Sequence, residues 1–472
     1  MLFNTPLYLV FLILVVSIFY FLPKKIDKIF MLAASYFFYG YWDWRFLILL
    51  VGSSLMDYYF GLLIFRAKTK PLKKAWLVFS LALNLGILLF FKYFNFFIDS
   101  FGTSFGNHLD FLHLHILLPV GISFYTFQSL SYTIDIYREK LSPTKSILDY
   151  CLFVGIFPHM VAGPIVRAKD ILPQLAALKK PLKNDFNIGF SLITIGMFQK
   201  VLIGDTAARF VDHIFADPQY YSSSELLFSL LMFAIQIYAD FAGYSNIARG
   251  SAKFFGIDLI DNFNQPFFSK SITEFWRRWH ISLSTWFFDY LFNPLVISFR
   301  NWGRFGIAMA LMITFFFSGL WHGAGTKFII FGLLHGFALT FEFYTKKFRK
   351  KIFSFLPTRL NVIISTLLTC TYVIFTWLFF RAANNDVVML YLNRLFINHT
   401  TSNISLDLYG IFFTYFIAIM VIDYFELKTK NHEFLAQINP AIKYGIAIPL
   451  WVGVILYMYT ILKPMPFIYF QF

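Results

Sequence analysis

The chain is 472 residues long, 58% hydrophobic, 22% aromatic and only 14% charged, and a water-soluble domain of that size has too little interior to hide so much apolar surface. Its formal charge of +15 could serve nucleic acid, but the Lys and Arg residues fall in short clusters between apolar runs, the pattern of membrane topology signals rather than of one basic face. The two cysteines, Cys151 and Cys370, each lie inside an apolar run and offer neither a disulfide framework nor a zinc site.

A membrane-crossing helix needs about 20 mainly apolar residues. Such runs begin near Leu7, Ile29, Phe46, Ala75, Ile116, Asn187, Leu226, Ile307, Phe328, Val362, Leu408 and Ile442. They predict an all-α polytopic membrane protein with about 11–13 crossing helices plus re-entrant and interfacial helices. No internal repeat, low-complexity stretch or soluble domain interrupts them, so residues 1–472 read as one membrane domain, closed by helices over 360–465. The first run has no basic segment before it and no small-residue cleavage site after it, and so reads as a retained helix rather than a signal peptide.

Basic clusters give the orientation. Lys24, Lys25 and Lys28 follow the first run, Arg66 to Lys74 the third, and Arg138, Lys140 and Lys145 the fifth. This alternation sets the N-terminus outside the cytoplasm and places the cluster Lys346, Lys347, Arg349, Lys350 and Lys351 inside. Two stretches do not read as simple spans. Ile147 to Ile165 is broken by Gly155, Pro158, Gly163 and Pro164 and has basic residues on both sides, which fits a re-entrant segment. Asp258 to Arg304 is too polar to cross lipid yet rich in Trp and Phe, and irregular backbone survives at membrane depth only under protein or beside a water-filled cavity.

Within that second stretch, Ser271 and Glu274 stand in capping-box spacing, which predicts a helix running from Ser271 through His280. Ile272, Phe275, Trp276, Trp279, Leu283, Trp286 and Phe287 form its apolar stripe. His280 falls at the stripe's edge, about 80° from Ile272, where it can face a polar cavity. The alternative is an interfacial helix whose histidine is merely tolerated.

The apolar run after Gly306 ends in Ser318-Gly-Leu-Trp-His322-Gly-Ala-Gly325. A histidine at membrane depth is costly and usually faces an internal cavity, and imidazole has the basicity to take a proton from a hydroxyl. The same residue could instead donate one hydrogen bond at a helix end. His335, mid-helix between small residues, reads as a structural partner to a neighbouring helix. His108, His113 and His115 read as solvated loop residues, and His159 stays open. Asp57, Lys92, Lys200 and Asp240 are further polar groups inside apolar runs, Asp240 being the cavity-wall candidate.

Several tracts together resemble the membrane-bound O-acyltransferase superfamily. They are Tyr238-Ala-Asp-Phe-Ala-Gly-Tyr-Ser245, Asp261-Asn-Phe-Asn264, Ser271 to Ser284 and Gly319-Leu-Trp-His-Gly-Ala324. Pro119-Val-Gly-Ile-Ser-Phe-Tyr125 and Ala162-Gly-Pro-Ile165 are similar to its bacterial branch, which includes the membrane subunit of alginate O-acetylation and, more distantly, the D-alanyl transfer protein of teichoic acid modification. The resemblance covers roughly residues 1–350 and sets the family core at about 116–350.

The resemblance implies that His322 and His280 are the catalytic pair beside a tunnel, with Asp240, Trp276, Trp279, Trp321 and Asn262 as tunnel-lining candidates. It implies a multi-pass protein of the bacterial inner membrane, in contact with lipid, with no metal and no permanently bound cofactor. Its acyl donor is expected to be a cytoplasmic thioester such as acetyl-CoA. The acceptor is an exported polysaccharide or an extracytoplasmic partner acetyltransferase. D-alanyl transfer is the nearest alternative; a secondary transporter or a non-catalytic scaffold of a polymer-modifying complex would be of another class. Phe288, Val296, Ile297, Thr326 and Phe331 depart from the family pattern.

Overall fold

The computed structural model describes residues 1–105, 112–161, 163–397, 404–460 and 464–470. Among them no strand occurs, and nine helices are long and apolar enough to cross a membrane, from Trp44–Arg66 to Pro440–Thr460. Three shorter helices, Pro6–Phe21, Asp27–Gly40 and Ile122–Tyr137, have 16, 14 and 16 residues. Every apolar run lies in a helix at its expected start except that from Ile116, whose helix waits until Ile122. Gly121 causes that delay. It sits at φ 78°, and a Cβ there would lie 2.6 Å from the Met160 carbonyl oxygen, so the turn before Ile122 admits only glycine.

The chain's contacts gather into two units, Met1–Thr194 with Tyr244–Ile260, and Ile195–Gly243 with Asp261–Phe472. In the first, Phe3, Tyr8, Phe38, Phe157 and Phe255 pack as an aromatic core, and the Tyr8 hydroxyl meets Ser251 at 2.6 Å. Asp57 is its polar pin: the carboxylate accepts from Ser80 at 3.0 Å and from Asn84 at 2.8 Å, binding one apolar helix to the next. The segment expected to be re-entrant forms two short helices, Ile147–Gly155 and Phe157–Met160, neither long enough to cross. His159 is buried there, 3.1 Å from the Gln128 amide. Of the loop histidines, His108 lies outside the described residues, and the exposed His113 stands 2.6 Å from Asp99.

The second unit is organised by a helical hairpin, Gly303–His322 followed by Thr326–Phe353. Small residues let its arms approach closely. A Cβ on Gly319 would lie 2.2 Å from the Phe328 carbonyl oxygen, and one on Gly332 would lie 2.2 Å from that of Phe315. In lipid the hydrophobic effect does not draw helices together, so this dispersion contact is the hairpin's main attraction. It also fixes the height at which the first arm ends, on His322. Gly332→Ala forces the arms apart; we expect a loss of about 1–3 kcal/mol, read as a lower melting temperature of the detergent-solubilised protein, whereas Gly325→Ala, whose Cβ would meet only side-chain atoms at 3.7 and 3.8 Å, leaves melting near the parent value.

Candidate active site

The predicted helix through His280 is broken. One helix covers Ile272–Arg278, a second covers Ile281–Phe287, and His280 stands between them at φ 45° and ψ 53°. A left-handed conformation is unfavourable for a residue with a Cβ and survives only when its surroundings impose it. Here the backbone N–H of Asn264 donates to Arg278 at 2.9 Å and that of Ile281 donates to Asn262 at 2.9 Å, strapping the break on both sides. The Asn262 side-chain oxygen accepts from the Ser282 N–H at 3.2 Å and its hydroxyl at 2.7 Å. The wheel position expected for His280 therefore does not apply; the kink aims the ring.

The cap was legible. Ser271 Oγ accepts from the Glu274 N–H at 3.0 Å, although the Glu274 carboxylate reaches back to the Lys270 N–H at 2.9 Å rather than to that of Ser271. The whole predicted stripe is buried, as is His280.

Neither His280 ring nitrogen has a hydrogen-bond partner among the described residues, an expensive state for a buried imidazole unless a substrate is to engage it. Burial also pushes its pKa down to about 3, so the ring is neutral at physiological pH. Phe241 lies edge-on to it at 4.6 Å between ring centroids, and Trp321 at 5.8 Å.

His322 is the last residue of its helix and is buried. Its ring is surrounded by Trp321 at 5.2 Å, Phe380 at 5.2 Å, Tyr469 at 5.5 Å and Phe331 at 5.7 Å. Gly323, which follows it, leaves room for the Phe328 ring: a Cβ there would lie 2.0 Å from that ring. Trp321 and Tyr469 each touch both histidine rings, Tyr469 standing 6.0 Å from His280. The two histidines, far apart in sequence, therefore belong to one buried aromatic cluster.

Of the remaining tunnel candidates, Trp321 packs between the two histidine rings and Asn262 supports the His280 turn. Trp279 is core, packed on Phe263 and Trp377 at 5.0 Å each. Asp240 is buried beside Lys200, which also pairs with Asp205 at 2.7 Å. Trp276 donates to His335 Nδ1 at 3.2 Å. That bond leaves the proton on His335 Nε2, which donates to Thr376 at 2.9 Å while Thr376 donates to the Val373 carbonyl at 2.7 Å. His335 is thus a satisfied structural residue, and it fixes Trp276.

Trp276 lines a cleft of about 720 Å³. Phe287, Phe288, Leu311 and Phe315 make its walls apolar, while Arg277, Lys346 and Arg349 supply cations. Ser318, also lining it, lies one helical turn before His322 on the same helix face. Sequence reasoning missed Tyr469, Phe380 and this cleft. Tyr469 had no signal, being one tyrosine in an aromatic run. Phe331, noted as a departure from the family pattern, proves to touch His322. No cluster of three or more metal-ligating side chains occurs among the described residues.

The family profile described as MBOAT, membrane-bound O-acyltransferase family, matches residues 36–383, which span both histidines and the hairpin. This chain belongs to the membrane-bound O-acyltransferase family. It is 39% identical to the probable alginate O-acetylase of Pseudomonas putida over 393 residues, 82% of this chain and 78% of that one. It is 36% identical to the peptidoglycan O-acetyltransferase of Helicobacter pylori over 423 residues, 81% of this chain and 77% of that one. The teichoic acid D-alanyltransferase of Bacillus subtilis is 31% identical over 274 residues, 55% of this chain and 68% of that one. The chain is an O-acyltransferase and a multi-pass membrane protein.

Asn262→Ala removes the acceptor that holds Ser282, and the strained His280 turn is left with its backbone bonds alone. We expect about 1–3 kcal/mol of destabilisation and a fall in acyl transfer exceeding the fall in membrane expression, measured by envelope ester content against immunoblot signal.

Proposed function

We propose that this acyltransferase takes an acyl group, acetyl foremost, from a cytoplasmic thioester and passes it toward an exported polysaccharide, directly or through an extracytoplasmic partner transferase. The observation that carries the reading is His322, buried at the end of a spanning helix in an aromatic cluster it shares with His280. In this reading the His322 imidazole removes the acceptor's hydroxyl proton. The oxygen attacks the thioester carbonyl, the tetrahedral intermediate collapses with cleavage of the C–S bond, and the proton passes from His322 to the departing thiolate, leaving an ester, a thiol and a neutral histidine. His280, neutral and held by the kink, offers a ring N–H to the carbonyl oxygen as negative charge develops there.

The basic and apolar cleft supports a donor path. Lys346 and Arg349 belong to the cluster assigned to the cytoplasmic side, and with Arg277 they match the phosphates of a nucleotide thioester such as acetyl-CoA. The apolar wall suits the donor's uncharged arm, and Ser318 marks the cleft's approach to His322. Aromatic walls exclude water, which would otherwise take the acyl group. The relatives named for alginate and peptidoglycan O-acetylation support acetyl and a polymer acceptor. The more partial match to a teichoic acid D-alanyltransferase favours D-alanyl less.

The test is envelope polysaccharide O-acetyl content in a deletion strain complemented with parent or variant genes. Well-expressed His322→Ala should lower ester by about 10²-fold or more, the usual contribution of a general base. Full ester with His322→Ala would move the non-catalytic scaffold reading to the front. Because His280 is neutral, His280→Gln, which keeps an N–H donor, should retain more activity than His280→Phe, and its retained fraction should stay constant between about pH 6 and 8. A fraction that changes across that range would mean that His280 titrates during catalysis.

A further inference from the structure

Asp240 lies in a family tract, yet the reaction as drawn gives it no work. It is buried on the Ser223–Lys253 helix, with its carboxylate against the Lys200 ammonium. Close packing brings them together: a Cβ on Gly243 would lie 2.6 Å from the Lys200 backbone nitrogen, and one on Gly204 would lie 3.1 Å from Asp240 Cα. Asp205 is on the same ammonium at 2.7 Å. Two carboxylates thus share one cation, and a buried charge in excess needs further donors.

The further donor comes from the segment 464–470. The Ile468 N–H donates to Asp240 Oδ2 at 2.8 Å, and the Lys200 ammonium faces the carbonyl oxygens of Met465 and Pro466 at 3.5 Å each. One residue to either side of Ile468, Phe467 packs on Phe241 at 5.2 Å and Tyr469 on His280 and His322. Phe241 is itself the ring edge-on to His280 and the neighbour of Asp240 in sequence.

We propose that Asp240 is a positioning residue for acyl transfer: clamped by Lys200, its carboxylate holds the backbone at Ile468 and thereby seats Phe467 against Phe241 and Tyr469 against the two histidine rings. The inference rests on the reading of His322 as the catalytic base, but the latch itself is a structural statement that can be tested without activity. Asp240→Asn leaves Lys200 and Asp205 as a balanced pair while weakening the hold on Ile468. Ile468→Pro leaves all three charged groups in place and deletes the N–H, at the first position of a short helical turn, where proline is tolerated; Ile468→Ala, which keeps the N–H, controls for the buried side chain that is also lost and should label more slowly than Ile468→Pro.

The experiment places a reporter, Phe470→Cys, in a background carrying Cys151→Ser and Cys370→Ser, and follows maleimide labelling in native membranes; envelope ester is measured in parallel with Phe470 intact. Both Asp240→Asn and Ile468→Pro should speed labelling by about tenfold or more, the scale of a charge-assisted hydrogen bond, and should lower ester out of proportion to expression. His322→Gln, which removes the base but keeps bulk beside Tyr469, should lower ester by about 10²-fold or more with labelling near the parent rate, which separates latch from chemistry. Unchanged labelling in either expressed variant overturns the latch, and parent-level ester despite faster labelling overturns its role in transfer. If Asp240→Asn fails to accumulate, Ile468→Pro decides. A parent strain that deposits no ester sinks the acyl-transfer reading, and labelling still judges the latch.

Discussion

The close contact of two helices at Gly319 and Gly332 is the constraint on which the site depends. It brings backbone against backbone, so that the Gly303–His322 helix ends at a fixed height with His322 as its last residue. The glycine after it leaves room for the Phe328 ring. A hairpin with larger residues at these positions would splay, and the imidazole would lose the rings of Phe331, Phe380 and Tyr469 that surround it. Helix packing in lipid depends on such small-residue contacts because apolar surface gains nothing by leaving one hydrocarbon for another.

Around this hairpin, irregular backbone is held by hydrogen bonds. The His280 turn is strained, and residues 262–264 strap it with backbone and amide bonds. Strain of this kind persists where the surroundings over-determine it, and its effect is to present both ring nitrogens of a neutral imidazole without a protein partner. His335, buried in the same unit, is the contrast: both of its nitrogens are committed, to Trp276 and Thr376. Two buried histidines thus differ in chemical availability through their partners, not their burial.

Relatives named for alginate, peptidoglycan and teichoic acid modification share the family with this chain. On the proposed reading, one base can act on any hydroxyl brought to it, and selectivity then rests on the surrounding walls. Phe331, which touches His322, and Phe288, which lines the basic cleft, were singled out in the sequence as departures from the family pattern, and both lie beside the residues that reading uses.

Composition and apolar run length determined the all-α membrane architecture, because lipid forces a spanning backbone to satisfy its own hydrogen bonds and helices of sufficient length announce themselves. Local spacing also determined the Ser271 cap and the buried stripe beyond it, and the glycines around His322 marked a special position. The break at His280 was not legible, since its helical propensity is ordinary and the hydrogen bonds that impose φ 45° come from Asn262 and Asn264, well before it in the chain. The partner of Asp240 near the chain's end and the place of Tyr469 were likewise decided by tertiary structure alone: a hydrogen bond and a ring contact each reach across more than a hundred residues, and no periodicity in a sequence records which distant groups a fold will bring to the same few ångströms.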